Sequence, residues 1–353
     1  MPVIEQSSYR PPFWLRNGHA QTVFPHFFRR LRDAAWRRER IDTPDGDFLD
    51  LDWSYANGAR PGTETTPPGP GKTWAPDDAG RLAVLTHGLE GDSRRGYIRG
   101  MARALNLAGW DALAWNLRGC SGEPNRTARL YHSGATEDLH AVLGHVASAT
   151  GYQSVALVGF SLGGNLTLKY LGEGGRDFPL PVEGAVAISV PCDLADSAAR
   201  MEAPDCRIYM AQFLLSLRRK VRAKMGLFPG MPGDAGFRRI RTFREFDDRY
   251  TAPLHGFRDA GDYWRRCSSR QFLPDIRVPT LLINARNDPF LAGGCYPAAE
   301  AEANPNVWLE MPAGGGHVGF VAFRPDGLYW SEGRAVEFLA SHPPDCANAL
   351  PCL

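Results

Sequence analysis

The sequence lacks most of the features that would point away from simple hydrolytic chemistry. Its seven cysteines (Cys120, Cys192, Cys206, Cys267, Cys295, Cys346 and Cys352) form no CxxC pair, and no Cys/His cluster has zinc-site spacing. Scattered, odd-numbered cysteines fit a reducing compartment better than a disulfide framework. No apolar run approaches the roughly 20 residues that a bilayer-spanning helix needs, and residues 1–16 lack the apolar core of a secretory signal. We therefore expect a soluble, cytoplasmic protein. The net charge is only +1, so no overall field draws the molecule to nucleic acid. There is no P-loop and no strand-linked GxGxxG, and we expect neither metal nor cofactor. No internal repeat is visible. Low complexity is confined to residues 59–75, rich in Pro, Gly and Thr, which read as an exposed loop.

What is present is ordinary globular composition, 43% hydrophobic and 22% charged, in a length that suits one large domain carrying an insertion. Short apolar runs alternate with helical patterns. Residues 82–86 (LAVLT) read as a strand and residues 97–107 as a helix. Residues 112–115 form the next strand and 136–147 the next helix. Residues 154–158 (SVALV) lead into Gly159, and a helix follows to about Leu171. Further strands are expected at 184–190, 280–284 and 307–310, and a last helix at 333–340. Such alternation implies βαβ units and a mostly parallel sheet buried on both faces, an α/β fold with its functional loops at the carboxyl ends of the strands. The pattern breaks between residues 193 and 267. There, 208–225 forms an amphipathic helix with Met210, Phe213, Leu214, Leu217 and Val221 on one stripe and a basic run beside them. We expect one domain over 1–353, with an N-terminal extension at 1–40 and a helical cap at 193–267 inserted after the sixth sheet strand.

Gly159-Phe160-Ser161-Leu162-Gly163 fits G-x-S-x-G between a strand and a helix. This is the nucleophile elbow of the α/β-hydrolase fold. The glycines give a tight turn room, and the turn lifts the serine hydroxyl over a helix N-terminus that favours developing negative charge. Ser161 is the expected nucleophile. In this fold the acid and then the base follow the serine in the chain. Asp288, after the strand at 280–284, is the expected acid, with Asp193 as the competitor. His317, on the glycine-rich loop directly after the last expected strand, is the expected base, with His342 assigned to the tail. The oxyanion donors should be the N–H groups of Leu162 and Leu89. His87 reads as a structural loop histidine, whereas His132 and His255 are left open as site-lining residues.

Several longer blocks carry a more specific signal: residues 12–22 (PFWLRNGHAQT), 87–91 (HGLEG), 116–126 (NLRGCSGEPNR), 131–134 (YHSG), 159–165 (GFSLGGN) and 250–257 (YTAPLHGF). Together they resemble the YheT-like hydrolases over nearly the whole chain. The resemblance implies an α/β-hydrolase fold and carboxylic-ester hydrolysis, with Ser161, Asp288 and His317 in the charge-relay roles. It also implies relatives that include lipid esterases, phospholipases and acyl transferases. The expected partner is a small-molecule acyl ester of short to medium chain. An alcohol replacing water would make the protein an acyltransferase, and a hydrolase-fold adaptor without catalysis is the reading from a different class. The cap's basic run, with Arg29, Arg30, Arg37 and Arg38, raises the further expectation of peripheral membrane contact.

Overall fold

A computed structural model describes residues 3–31, 36–56, 80–174 and 177–342. The loop expected at 59–75 lies outside these residues, as do Cys346 and Cys352. The strands are β1 (Val3–Ile4), β2 (Arg37–Asp42), β3 (Phe48–Ser54), β4 (Arg81–Thr86), β5 (Trp110–Asn116), β6 (Val155–Phe160), β7 (Val182–Ile188), β8 (Thr280–Ile283) and β9 (Val307–Glu310). They form one sheet in the order β1-β9-β8-β7-β6-β4-β5-β3-β2. All neighbours are parallel except β2–β3 and β3–β5, which are antiparallel. The helices are α1 (Gly18–Phe28), α2 (Gly96–Leu107), α3 (Thr136–Ala149), α4 (Leu162–Gly174), α5 (Leu194–Met201), α6 (Arg207–Met225), α7 (Phe243–Phe246), α8 (Ala252–Leu254), α9 (Ala260–Cys267), α10 (Ala298–Ala303) and α11 (Trp330–Ser341). The doubly covered parallel sheet expected from the alternation is present. None of these helices is long and apolar enough to cross a membrane.

Side-chain alternation along a strand decides which residue faces which layer. On β4, Leu82 and Val84 join the cluster containing Leu139, Val142, Leu166 and Leu168 from α3 and α4. Ala83 and Leu85 point the other way, into the cluster containing Ile98, Met101 and Phe338 from α2 and α11. Both faces are buried, so the strand reads as an unbroken apolar run.

Three strands, β1, β2 and β3, were not expected. β2 (RRERID) and β3 (FLDLDWS) look too charged for a sheet interior, yet every residue of β3 is buried. The register sets Arg38 opposite Asp52 and Arg40 opposite Asp50. Each arginine grips its carboxylate with two hydrogen bonds of 2.7–2.9 Å. Bidentate pairing of this kind lets a carboxylate be buried without standing uncompensated. The helical insertion follows the seventh strand in chain order, not the sixth.

Candidate active site

Five loops converge at the carboxyl ends of the parallel strands. Ser161 occupies the turn between β6 and α4 with φ of +52°. Its N–H donates to the Ile188 carbonyl at 2.8 Å, which ties the turn to β7. The flanking glycines are sterically required. A Cβ on Gly163 would lie 2.4 Å from the Thr86 carbonyl oxygen, and one on Gly159 would lie 2.5 Å from the Gly163 carbonyl oxygen.

His317 Nε2 is 2.9 Å from Ser161 Oγ. On its other side, His317 Nδ1 is 2.9 Å from Asp288 Oδ2 and 3.1 Å from Oδ1. The carboxylate can only accept, so the ring proton belongs on Nδ1 and the Nε2 lone pair faces the serine hydroxyl. The Asp288 side chain is fully buried and also accepts from the Phe290 N–H at 2.9 Å. The Phe290 ring lies against the imidazole with centroids 4.3 Å apart. Asp193, the competing acid, is elsewhere: its carboxylate caps α5 by accepting from the Asp196 N–H at 3.0 Å.

His87 is fully buried, and both ring nitrogens have partners. Nδ1 lies 2.8 Å from the Gly88 carbonyl oxygen, to which it donates, and Nε2 accepts from the Leu117 N–H at 3.1 Å. Burial pulls its pKa down to about 4. It is a structural histidine that fixes the loop after β4. In that loop the Gly88 N–H donates to the Tyr97 hydroxyl at 3.1 Å, and the Glu90 N–H to the Tyr131 hydroxyl at 2.8 Å. The N–H groups on both sides of Leu89 are thus engaged. A Cβ on Gly88 would come within 3.1 Å of Ser161 Cβ, so the loop passes directly beside the serine. Leu162 is the first residue of α4, where helix geometry leaves the N–H without an intrahelical acceptor.

The base loop is held by residues that the sequence reading did not single out. The His317 N–H donates to Thr22 Oγ1 at 2.9 Å, the Gly316 N–H to Asn287 Oδ1 at 3.0 Å, and the Val318 N–H to Ser189 Oγ at 2.9 Å. Thr22 belongs to α1, and a Cβ on Gly18 of the same helix would lie 1.9 Å from the Asn287 carbonyl oxygen. The N-terminal segment is therefore wedged beneath the Asp288 and His317 loops. The neighbourhood of Asn287 to Asp288 was a readable signal; the partnership of Thr22 with His317, 295 positions apart, was not.

Two hollows meet at Ser161, and Leu89, Phe213, Phe290 and His317 border both. The inner one, of about 130 Å³, lies under α5, α6, α7 and α9. Its wall includes Leu130, Met201, Leu217, Phe246 and Trp264. His132 also lines it, and His255 packs on His132 with ring centroids 4.4 Å apart. Its wall also holds Asp247, which accepts from Thr251 Oγ1 at 2.6 Å and Trp264 Nε1 at 2.8 Å. Burial pushes the Asp247 pKa up to about 7. The outer hollow, about 760 Å³, opens between α1, the loop after β4 and the first half of α6. The basic run of α6 is divided among different surroundings: Lys220 lines the inner hollow, and Arg219 and Arg222 are exposed. Lys220 pairs with Glu90 at 2.9 Å, Lys224 donates to Asn125 Oδ1 at 2.7 Å, and Arg218 and Arg222 both hold Asp234.

The family model of the α/β hydrolase fold matches residues 84–322. The chain is 38% identical to "Putative esterase YheT" of Escherichia coli (strain K12) over 92% of its own length and 91% of that protein. It is 31% identical to "Phospholipase ABHD3" of Mus musculus, covering 91% of this chain and 74% of the relative. "Monoacylglycerol lipase" of Saccharomyces cerevisiae is 30% identical over 72% of this chain and 58% of the yeast protein. Among solved structures, the Pyrococcus furiosus esterase Pf2001 superposes with a TM-score of 0.54 at 17% identity, covering 88% of this chain and 93% of its own, a likeness of fold alone. With the elbow between β6 and α4, the loop order along the sheet and these relatives of esterase and lipase type, the chain belongs to the α/β-hydrolase family, in the branch that contains YheT.

Proposed function

We propose that the protein hydrolyses carboxylic esters through an acyl-enzyme on Ser161. The observation that carries this reading is the double contact of His317, 2.9 Å to Ser161 Oγ and 2.9 Å to Asp288 Oδ2. Ser161 Oγ attacks the ester carbonyl while His317 Nε2 takes its proton. Asp288 holds the imidazole in the required tautomer and stabilises the imidazolium. The oxyanion forms beside the N–H groups of Leu89 and Leu162, each of which contributes about 3 kcal/mol to the transition state in comparable sites. When the tetrahedral centre collapses, the C–O bond to the alcohol breaks and His317 returns the proton to the leaving oxygen. Water then repeats the sequence on the acyl-serine, releasing the acid.

The two hollows suggest how an ester lies. The acyl group occupies the inner hollow beneath the cap at residues 193–267, and the alcohol side faces the outer one. An apolar cavity of ~150 Å³ admits benzene, so about 130 Å³ fits an acyl chain of roughly six carbons. A fluorophosphonate probe tests the chemistry: it should label the folded wild type and not Ser161→Ala. Failure to label folded wild type would return the protein to the adaptor reading. Rates on p-nitrophenyl esters test the acyl pocket and should peak at short to medium chains; equal rates from acetyl to palmitoyl would refute the assignment of the inner hollow.

A further inference from the structure

The outer hollow is bordered by an unusual surface. Phe13, Trp14, Phe27, Phe28 and Phe323 are 81%, 54%, 65%, 67% and 65% exposed. They come from three separate places in the chain; Phe13 adjoins Trp14 in sequence, and the other four touch through one another and through Phe24. Trp14 stacks on Phe323 at 5.8 Å and meets Phe24 edge-on at 5.5 Å. Phe24 stacks on Phe28 at 4.8 Å, and Phe27 adjoins Phe28 at 6.5 Å. A contiguous patch of large exposed aromatics on a folded chain marks a contact surface. Phe27 reaches from the patch into the wall of the outer hollow, and across that hollow Ile208 of α6, 72% exposed, stands on the opposite rim.

Charge indicates what covers the patch. Residues 6–31 contain Arg10, Arg16, Arg29 and Arg30 and no Asp or Glu. Arg29 is spent on a buried pair with Glu332, whereas Arg10, Arg16 and Arg30 are exposed and stand within three positions of Phe13, Trp14 or Phe28 along the chain. The nearby acids are paired, Asp205 with His19 and Arg200 and Asp326 with Arg324, and a surface that combines aromatic side chains with arginines matches the anionic headgroup region of a bilayer. There the rings enter the acyl boundary and the guanidinium groups meet phosphate.

We propose that this face docks the protein on an anionic lipid surface, so that ester substrates pass from the lipid directly into the outer hollow. This inference rests on the ester-hydrolase reading for its purpose, but the docking itself does not depend on it. It replaces the basic run of α6, whose lysines are engaged internally, with a different set of residues.

The test uses the full chain and the triple variant Phe13→Ser/Phe28→Ser/Phe323→Ser, none of which lines either hollow. Sedimentation with phosphatidylcholine vesicles, with and without phosphatidylglycerol, reads docking. Turnover of soluble p-nitrophenyl acetate reads the site, and light scattering reads oligomeric state. Wild type should bind the phosphatidylglycerol vesicles, and the variant should bind them roughly tenfold more weakly or worse. Turnover of the soluble ester should be equal in both. Absence of vesicle binding by wild type overturns the docking and leaves the hydrolase reading intact. A wild-type dimer that the variant abolishes overturns it too, because a second copy would then cover the patch. Vesicle binding without any ester turnover would sink the hydrolase reading alone. Should the triple variant fail to fold, Phe13→Ser, at the most exposed of these positions, carries the same comparison.

Discussion

Ser161 holds a left-handed backbone conformation, which costs a non-glycine residue about 1–3 kcal/mol and persists only where the surroundings over-determine it. Here they do: β7 takes the Ser161 N–H, and Gly159 and Gly163 leave no room for any other path of the chain. Gly163→Ala should therefore cost activity far more than an alanine in a helix ordinarily would, because the new methyl meets the Thr86 and His87 carbonyl oxygens, and neither can retreat without moving β4. Loss of fluorophosphonate labelling in a soluble variant would register it. The acid can be tested just as directly. Asp288→Asn removes the acceptor that fixes the His317 tautomer and should lower kcat by roughly 10⁴-fold. Asp193→Asn replaces one good helix cap by another and should leave turnover and melting temperature nearly unchanged. If Asp193→Asn were the crippling change, the acid assignment would be wrong. The elbow glycines, Ser161 and the order in which Asp288 and His317 follow it were all readable in the chain, because each answers a local constraint at a strand end. Thr22 and Ser189 were not, because their role is to accept single hydrogen bonds from a loop that is distant in sequence.

At the scale of elements, buried carboxylates are held in two different ways. Arg118, buried just past β5, bonds Asp138 of α3 at 2.6 Å, and Asp45 and Asp47 of the β2–β3 turn at 2.7 and 3.1 Å. Arg118→Met leaves Asp47 and Asp138 buried without their cation and should cost about 3–5 kcal/mol, measurable by urea denaturation. Within the cap, Asp247 is protonated more readily in the folded state than in the unfolded chain. Its folded pKa is about 7, raised by burial, against about 3.9 unfolded. The native state then binds the extra proton, so its stability declines as pH rises from about 4 to about 7. Asp247→Asn removes that dependence. The melting temperature of wild type relative to the variant should fall between pH 5 and pH 8; a constant difference would show that Asp247 ionises normally. Strand-level reading succeeded for the parallel core and failed for β2 and β3. Their charges signal solvent in the sequence, and only the cross-strand register reveals that Arg38 and Arg40 neutralise Asp52 and Asp50.

For the whole molecule the first part of the acid limb of stability includes a contribution from histidines held neutral. Burial pulls His87 to about 4 and His132 to about 3, and burial together with the adjacent His132 pulls His255 to about 2. The unfolded chain takes up these protons near pH 6.5 and the native state does not. Their contribution is thus intact above about pH 6.5 and is lost as pH falls toward 4. Both ring nitrogens of His255 are buried without hydrogen-bond partners. His255→Leu should accordingly flatten the fall in melting temperature between pH 7 and pH 5. An unchanged slope would place the acid sensitivity elsewhere.

Two kinds of information separate cleanly in this protein. Period, glycine placement and chain order are properties of short stretches, so the sequence by itself determined a parallel α/β core, the elbow at Ser161 and the order in which Asp288 and His317 follow it. The conversion of charged β2 and β3 into sheet, the wedging of Gly18 and Thr22 beneath the base loop, and the internal use of the α6 lysines depend on pairings between residues tens to hundreds of positions apart. The same holds for the aromatic face assembled from residues 13–14, 24–28 and 323. Only the tertiary structure decided these, because a charge or a ring acquires its meaning from the partner or solvent it meets after the chain has closed.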